Sequence, residues 1–247
     1  MQQYFVNGRA ESSVTITDKD TIKHMFQVMR LSEGDEVVLV FDDGIKRLAR
    51  VSDSLAHTFV IVEELTDTVE LPVQVTIASG FPKGDKLDLI TQKATELGTY
   101  AIWAFPADWS VAKWDSKKLG KKEDKLIKIA QGAAEQSKRN VIPKVKLFET
   151  KTDFLSQLDD FDKIFVAYEE SAKTGEMSVL ARELQMVEQG QKLLFIFGPE
   201  GGISPKEVEV LQARGAILCG LGPRIMRTET APLYVLSAVS YECELRS

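Results

Sequence analysis

The sequence predicts an α/β protein in which a small β-barrel precedes a mostly parallel sheet covered by helices. Its 247 residues suffice for one large domain or two modest ones. The first 70 residues contain short strand-like apolar runs, whereas the rest alternates strand-like and helix-like segments, as in a parallel sheet with helices on both faces. Pro72 disfavours helix at Leu71. The boundary is therefore placed there, which gives domains 1–71 and 72–247.

The first domain contains two clear strand signals and one helix signal. Residues 37–41 (VVLVF) and 59–62 (FVIV) are apolar runs of strand length. Either Thr17 or Asp18 can cap a helix. Apolar residues recur at helical spacing from there to about Met29. Strands with one short helix indicate a small barrel.

Strand and helix signals alternate through the second domain. In chain order, the sequence predicts a strand over 73–78, a helix over 85–97, a strand over 102–105, a helix over 121–138, a strand over 164–167, a helix over 178–187, a strand over 193–197, a helix after Ser204, a strand over 216–218 and a last helix from Thr228 or Thr230 to about Tyr241. Ser204, Pro205 and Glu207 have the spacing of a capping box with proline at the first helical position.

Cysteine and histidine are scarce, which limits the possible chemistry. The only cysteines are Cys219 and Cys243, and the only histidines are His24 and His57. No CxxC pair is present, so a structural zinc site is not expected. Ser-His-Asp and Cys-His catalysis have few possible members. Cys219 follows an apolar run and is expected to be a buried strand residue.

The chain is expected to be cytoplasmic. No apolar run approaches the ~20 residues that a membrane helix needs. The first ten residues (MQQYFVNGRA) lack the basic and then apolar layout of a signal peptide.

Positive charge is concentrated in one segment although the chain is acidic. The formal net charge is −6, yet residues 113–146 carry 11 basic and 4 acidic side chains, a balance of +7. Such a stripe can neutralise phosphates of a nucleic acid. A lysine-rich helix face exposed to solvent has the same composition, and charge alone does not separate these interpretations.

Two glycine-bearing segments follow neighbouring strands near the C-terminus. They are residues 197–202 (FGPEGG) and 221–230 (LGPRIMRTET). Ligands of open α/β sheets bind beyond the carboxyl ends of strands, where glycine lets the backbone approach closely. The first segment has neither the Gly-Lys-Ser/Thr ending of a P-loop nor a GxGxxG fingerprint. One such segment can simply form a turn, but the two together favour a cofactor that lacks phosphates.

These segments resemble a known family. Residues 196–204 (IFGPEGGIS) and 221–231 (LGPRIMRTETA) are similar to the signature of the RsmE family, which belongs to the SPOUT superfamily of RNA methyltransferases dependent on S-adenosyl-L-methionine (SAM). Residues 92–98 (QKATELG), 133–139 (AAEQSKR) and 28–31 (VMRL) also match. The similarity spans nearly the whole chain, and the C-terminal pair of motifs is the most specific part.

The resemblance implies a fold, a cofactor and partners. The fold would be a PUA-like β-barrel followed by a SPOUT-type, mostly parallel sheet with a C-terminal trefoil knot that holds SAM. The partners would be 16S rRNA, within the small ribosomal subunit, and a second copy bound through the knot domain; neither a membrane nor a metal is implied. The implied SAM contacts are Ala167, Tyr168, Glu169, Gly198, Glu200, Gly201, Gly202, Leu221, Gly222, Arg224, Ile225, Met226, Thr230 and Ala231.

The implied reaction is methylation of N3 of a uridine in the decoding region of 16S rRNA. Methyl transfer needs no covalent enzyme intermediate, so the scarcity of cysteine is no obstacle. Arg224 and Arg227 are the candidates to stabilise charge at the uracil oxygens as N3 loses its proton. Glu229 can act as the base or orient an arginine; it can equally be a favourable charge at a helix N-terminus.

RNA contacts are expected from the barrel and the basic segment. The candidates are Arg9, Arg30, Lys113 and Arg139, each of which can also be an ordinary surface charge. Trp109 and Trp114 can stack on a base, although core packing is expected of at least one of them. The family usually has arginine at the positions of Gln3 and Trp109, so both departures remove positive charge from the expected RNA surface.

Three alternatives remain. A SPOUT methyltransferase acting on tRNA or on another rRNA position has the same cofactor site. A non-catalytic ribosome-assembly factor can retain the fold, although both glycine motifs are intact. A nucleotide-dependent oxidoreductase needs a phosphate-binding fingerprint, which the sequence lacks.

Overall fold

The computed structural model describes residues 1–168 and 179–246. The chain divides into two compact units. One comprises Met1–Glu70 together with Ala134–Val141, and the other comprises Leu71–Ala133 and Ile142–Ser247. The boundary that the sequence predicts at residue 71 instead places the Ala134–Val141 segment in the second domain.

The N-terminal unit contains a five-stranded half-barrel. Its strands are β1 (Gln3–Phe5), β2 (Ser13–Thr15), β3 (Glu36–Val40), β4 (Lys46–Asp53) and β5 (Thr58–Leu65). They are ordered β1-β3-β4-β5-β2, with β1 parallel to β3 and the other pairs antiparallel. Met25, Leu39 and Phe59 are fully buried in its core. Two strands were predicted from apolar runs, and both are confirmed.

The unpredicted strand β4 begins with two buried cations. Lys46 and Arg47 are 3% and 6% exposed. Lys46 Nζ lies 2.7 Å from Asp67 Oδ2, and Arg47 Nη2 lies 2.8 Å from Asp43 Oδ2 and 2.7 Å from Glu64 Oε1. Buried charges persist where they are paired. A strand beginning Lys-Arg shows no apolar run, which is why the sequence did not reveal it.

The predicted helix of the first domain is present, with Asp18 as its cap. The Asp18 carboxylate accepts a hydrogen bond from Thr21 N–H at 2.7 Å, which satisfies a free donor of the first turn. Helix α1 (Lys19–Ile22) continues into a π-helical segment (Lys23–Val28) that ends at Met29.

The second unit contains a six-stranded parallel sheet. Its strands are β6 (Gln74–Gly80), β7 (Ala101–Phe105), β8 (Lys144–Leu147), β9 (Lys163–Ala167), β10 (Lys192–Phe197) and β11 (Ile217–Cys219). The order is β11-β9-β10-β6-β7-β8, and every pair is parallel. The predicted α/β fold is confirmed. The edge strand β8 was missed because its sequence, KVKL, is half lysine.

Helices cover this sheet as the alternation predicted. Those described are α2 (Lys86–Glu96), α3 (Ser116–Gln136), α4 (Lys151–Leu155), α5 (Val179–Gln185), α6 (Pro205–Gln212) and α7 (Ala231–Ser240). Helix α3 begins at Ser116 rather than at the predicted residue 121, and α4 was not predicted. The start predicted for α5, Ser178, lies outside the described residues.

Two apolar clusters lie against the sheet. In one, Phe165 of β9 stacks on Phe195 of β10 with ring centroids 4.7 Å apart, and Val235 of α7 is fully buried against them. In the other, Phe105 stacks on Phe154 at 4.1 Å. Burial on both faces fixes the strand ends that carry the glycine segments.

Across the described ranges, no helix combines the length and apolar character needed to cross a bilayer.

Candidate functional site

The first glycine segment forms a tight turn at the carboxyl end of β10. Gly202 N–H donates to Pro199 O at 2.9 Å and closes the turn. A Cβ at Gly198 would lie 2.3 Å from the carbonyl carbon of Gly202, so only glycine fits there. At the end of β6, a Cβ at Gly80 would lie 2.5 Å from Pro199 Cδ. Pro199 of the turn therefore packs directly against the end of the neighbouring strand β6.

Helix α6 begins immediately after this turn and holds its far end. Ser204 Oγ accepts from Glu207 N–H at 3.1 Å, and Glu207 Oε2 accepts from Ser204 N–H at 3.0 Å. Pro205 occupies the first helical position. The predicted capping box is confirmed, and it fixes the direction in which the chain leaves the turn.

The second glycine segment lies beside the first. It follows β11 and leads into α7, with Thr230 preceding the helix and Ala231 as its first residue. Thr228 Oγ1 donates to Gly198 O at 3.3 Å, which joins the two segments directly. Gly222 has φ +96°, a conformation that favours glycine.

The end of β9 lies between the two segments in the sheet. Because the strand order is β11-β9-β10, Ala167 and Tyr168 reach the same edge, and Tyr168 N–H donates to Cys219 O at 3.1 Å. Three neighbouring strand ends thus meet at the edge of the sheet where the sequence predicts a cofactor site. The predicted contact Glu169 lies outside the described residues.

A lysine that the sequence analysis missed connects the two segments electrostatically. Lys86 Nζ lies 2.9 Å from Glu200 Oε1 and 3.4 Å from Glu229 Oε2. Glu200 also accepts from Lys83 N–H at 3.0 Å. Lys86 begins α2, just after the carboxyl end of β6. Its position after a central strand was the available signal, since ligands bind at such ends.

These contacts shift two pKa values. The hydrogen bond that Lys86 donates to the Glu200 carboxylate raises the pKa of Lys86 above its ordinary value. Burial acts to raise the pKa of Glu200, but the hydrogen bonds from Lys86 and from Lys83 N–H outweigh it, and the pKa is lowered. Both groups are therefore charged at neutral pH, and the first turn carries a fixed ion pair.

The candidate catalytic residues combine one enclosed carboxylate with two exposed arginines. Glu229 Oε2 is buried and has no hydrogen-bond partner within the described residues, although Lys86 is its ionic neighbour. The Arg227 side chain is 84% exposed, with Nη1 4.0 Å from Glu229 Oε1. Arg224 is also exposed. The arginines can thus reach a substrate outside the turns, while Glu229 faces inward.

The remaining predicted contacts of the second segment differ in burial. Ile225 is 79% exposed, whereas Leu221 and Ala231 pack against the apolar cluster of β9 and β10. Met226 is half-buried and Thr230 exposed.

Neither cysteine is suited to act as a nucleophile. Cys219 is fully buried in β11, as expected, and burial raises the pKa of its thiol to about 12. Burial also raises the pKa of Cys243, and Glu242 and Glu244 act in the same direction. Reactive cysteines require the thiolate. Burial keeps both thiols protonated, so neither is activated for a covalent adduct.

Three of the four candidate RNA contacts are exposed. Arg9, Arg30 and Lys113 face solvent, and Arg30 adopts φ +57°. Arg139 is only 2% exposed, and its guanidinium pairs with Glu70, with Nε 3.2 Å from Oε1. Arg139 is not available to a phosphate, and the expectation that it contacts RNA was wrong.

Gln3 does not lie on the protein surface, where the sequence analysis expected an RNA contact. It is 3% exposed, and its Nε2 donates to Arg139 O at 2.6 Å. Gln3 therefore holds the segment around Arg139 to β1. The substitution of the family's usual arginine by Gln3 lies inside the N-terminal unit and not on its surface.

Replacing Glu70 with alanine should destabilise the N-terminal unit. The change removes the Glu70 carboxylate from the buried Arg139 guanidinium and removes the acceptor of Asn140 N–H, 2.8 Å away. Loss of one partner of a buried ion pair costs about 3 kcal/mol in the free energy of unfolding. Denaturant unfolding followed by circular dichroism measures it.

Glu36→Ala is the matched control for this change. Glu36 pairs at 2.8 Å with Arg50, whose side chain is 54% exposed, and an exposed pair contributes less than about 1 kcal/mol. Equal losses in the two variants would show that burial of Arg139 does not set the cost.

Comparisons with known proteins show which proteins this chain is similar to. Residues 69–240 match the family model described as an RNA methyltransferase domain, and residues 16–65 match the RNA methyltransferase PUA domain. The chain is 46% identical to ribosomal RNA small subunit methyltransferase E of Bacillus subtilis, covering 99% of this chain and 98% of that protein. It is 33% identical to the protein of the same name from Mycobacterium tuberculosis, over 92% and 86%.

Solved structures agree in fold. A crystal structure described as a hypothetical protein has a TM-score of 0.91 and 41% identity, covering all of both chains. The ribosomal RNA small subunit methyltransferase E of Neisseria gonorrhoeae, bound to S-adenosyl methionine, has a TM-score of 0.79 and 24% identity over 97% of each chain.

Proposed function

This chain belongs to the family of ribosomal RNA small subunit methyltransferase E, and from that premise we propose that it methylates N3 of a uridine in the decoding region of 16S rRNA with SAM as the methyl donor. The observation that carries the proposal is the junction of two glycine-bearing turns, tied by Thr228 and Gly198, at adjacent ends of a parallel sheet.

The residues present fit SAM. The turn at Gly198 leaves no room for a Cβ, so its backbone can approach a ligand closely. Glu229 Oε2, buried without a hydrogen-bond partner in the described chain, suits a ligand that brings a donor. SAM offers ammonium and hydroxyl donors and carries no phosphate, in keeping with the missing P-loop. We assign its contacts to the two turns and to the end of β9.

Each side chain then has a defined task. SAM supplies an electrophilic methyl group on its sulfonium, from which in-line displacement leaves S-adenosylhomocysteine. Arg224 and Arg227 stabilise the negative charge that develops on the uracil oxygens as N3 loses its proton. Glu229 accepts that proton, or it orients Arg227, 4.0 Å away, and the proton passes to solvent water. Lys86 fixes both Glu200 and Glu229, so the turns keep their geometry.

Replacing Lys86 with methionine should weaken SAM binding. The variant loses the cation shared by Glu200 and Glu229, whose carboxylates then repel each other across the two turns. A hydrogen bond to a charged group typically contributes more than about 1 kcal/mol to the stability of the structure that it holds. We therefore expect the dissociation constant for SAM to rise about tenfold. Calorimetric titration with SAM measures it.

Lys93→Met is the control for this titration. Lys93 lies on the same helix and pairs with Glu96 at 2.8 Å, away from the turns. An equal loss of affinity in both variants would indicate a general effect on α2 and would remove Lys86 from the site.

The two parts of the chain have separate roles in this proposal. Residues 1–71 act as the PUA-like RNA-binding domain, with Arg9 and Arg30 on its surface, and residues 72–247 form the methyltransferase domain with a trefoil knot. We also propose a homodimer through the knot domain, because Tyr234, Tyr241 and Leu245 at its C-terminal end are 43%, 59% and 74% exposed. Sedimentation analysis at several protein concentrations tests the dimer.

Mapping of modified nucleosides tests the proposed substrate. Small-subunit rRNA from cells that lack the gene should lack 3-methyluridine in the decoding region, and the gene should restore it. An unchanged nucleoside profile would contradict the proposal, and a loss confined to tRNA or to another rRNA position would assign the enzyme to that substrate.

A further inference from the structure

An exposed tryptophan lies on the first glycine turn. A Cβ at Gly201 would lie 3.1 Å from Trp109 Cβ and 3.8 Å from Cε3, and one at Gly202 would lie 3.9 Å from Cζ3. The indole therefore runs along the turn, yet 47% of Trp109 stays exposed. One edge of a large aromatic ring is covered and much of the ring faces solvent, next to the proposed cofactor site.

The other candidate, Trp114, is not available in this way. Its ring packs on Phe81 with centroids 4.3 Å apart, and Lys122 Nζ lies 4.5 Å from its centroid. Phe81 is 1% exposed. Trp114 is therefore half-buried against the apolar cluster around α3, with one face covered by Phe81, and Trp109 is the tryptophan presented beside the turn.

A cluster of polar contacts fixes the backbone that carries Trp109. Asp108 N–H donates to Glu207 Oε1 at 2.8 Å, and Asp108 Oδ2 accepts from Ser204 Oγ at 2.7 Å. Lys151 Nζ contacts both carboxylates and lies 2.8 Å from Glu207 Oε1. Asp108 is thus held to the same capping box that ends the glycine turn, so the tryptophan and the turn are parts of one rigid arrangement.

The two carboxylates that hold the backbone at Trp109 have cationic partners. The Asp108 and Glu207 carboxylates are compensated by Lys151, and Lys206 also acts on Asp108 electrostatically. Lys113, four residues along the chain from Trp109, is exposed. An exposed aromatic ring with neighbouring cations is the combination that binds single-stranded nucleic acid by base stacking.

We propose that the exposed face of Trp109 stacks on an unpaired nucleobase of the RNA beside the methyl donor. The inference rests on the proposed function, because chemistry on a base requires that base to leave the stack. An exposed ring on the turn of the proposed cofactor site can receive a base where the methyl group would be offered. Stacking is tolerant of sequence, so Trp109 contributes affinity and placement, while the identity of the target is read elsewhere.

Two variants test the ring without disturbing its support. Trp109→Leu keeps the Cβ and Cγ that lie nearest to Gly201 and removes the indole, whereas Trp109→Phe keeps an aromatic face. Val111→Ala is the control, since Val111 is 66% exposed, apolar and two residues away. We expect Trp109→Leu to raise the KM for small-subunit rRNA about tenfold, Trp109→Phe to recover most of the loss, and SAM affinity to stay unchanged.

A binding measurement separates this inference from the proposed function. A short single-stranded oligouridine should quench the tryptophan fluorescence of the unaltered protein and of Val111→Ala, but not that of Trp109→Leu. Unchanged oligouridine binding and unchanged KM in Trp109→Leu would overturn the inference. A loss of SAM affinity with RNA binding intact would also overturn it, because the ring would then stack on the adenine of SAM. Absence of methyl transfer by the unaltered protein, with quenching intact, would count against the proposed function alone.

Discussion

Gly198→Ala should nearly abolish methyl transfer. The new Cβ would lie 2.3 Å from the carbonyl carbon of Gly202 and 2.6 Å from its Cα, and both are backbone atoms that cannot rotate away. The turn has to open, which also displaces the carbonyl that Thr228 uses to hold the second segment. A displacement of about 1 Å in an active site can cost about a hundredfold in rate. We expect at least that loss in kcat/KM, with SAM affinity reduced in a calorimetric titration.

Gly120→Ala is the matched control for this change. Gly120 lies in α3, and a Cβ there meets nothing within 4 Å. Alanine in a helix is favoured over glycine by about 1 kcal/mol, so this variant should be slightly more stable and fully active. If Gly198→Ala retained the SAM affinity of the control, the turn would not be the cofactor site.

Arg227→Ala should lower turnover and leave cofactor binding intact. The side chain is 84% exposed and contacts Glu229 only at 4.0 Å, so its removal disturbs little of the folded protein. If its charge stabilises the uracil oxygens as N3 is deprotonated, its loss should lower kcat about a hundredfold, as when one preorganised donor is removed from other enzymes. Single-turnover methyl transfer with a saturating concentration of SAM measures this step.

Arg182→Ala controls for the loss of an exposed positive charge. The Arg182 side chain is 62% exposed and pairs weakly with Glu183, at 3.8 Å. It should retain full turnover. Full turnover in Arg227→Ala as well would exclude Arg227 from the mechanism and leave Arg224 as the remaining candidate.

The sequence predicted those parts of the fold that depend on local patterns. Strands β9 and β10 are continuous apolar runs, and β6 is buried along nearly its whole length, because helices cover both faces of the sheet. The capping box at Ser204 was readable because its partners lie three residues apart. The glycine turns were found through their motifs and through their position after strands.

What the sequence did not reveal depends on partners far along the chain. The sequence alone predicts that Arg139 is a surface cation. In the structure it is neutralised by Glu70, which lies 69 residues away along the chain. Lys86 is an ordinary helix residue until the fold brings Glu200 and Glu229 to it. Strand β4 begins with buried Lys46 and Arg47, a burial that only their distant carboxylates permit. In each case, tertiary charge pairing overrides the local pattern.

Ultraviolet cross-linking of SAM carrying a labelled methyl group would locate the cofactor site on the chain. Mass spectrometry of the digested protein should locate the label in peptides containing residues 198–202 or 221–228, and excess unlabelled SAM should suppress it. Label confined to peptides from other parts of the chain, or label that unlabelled SAM does not displace, would contradict a cofactor site built from the two glycine turns.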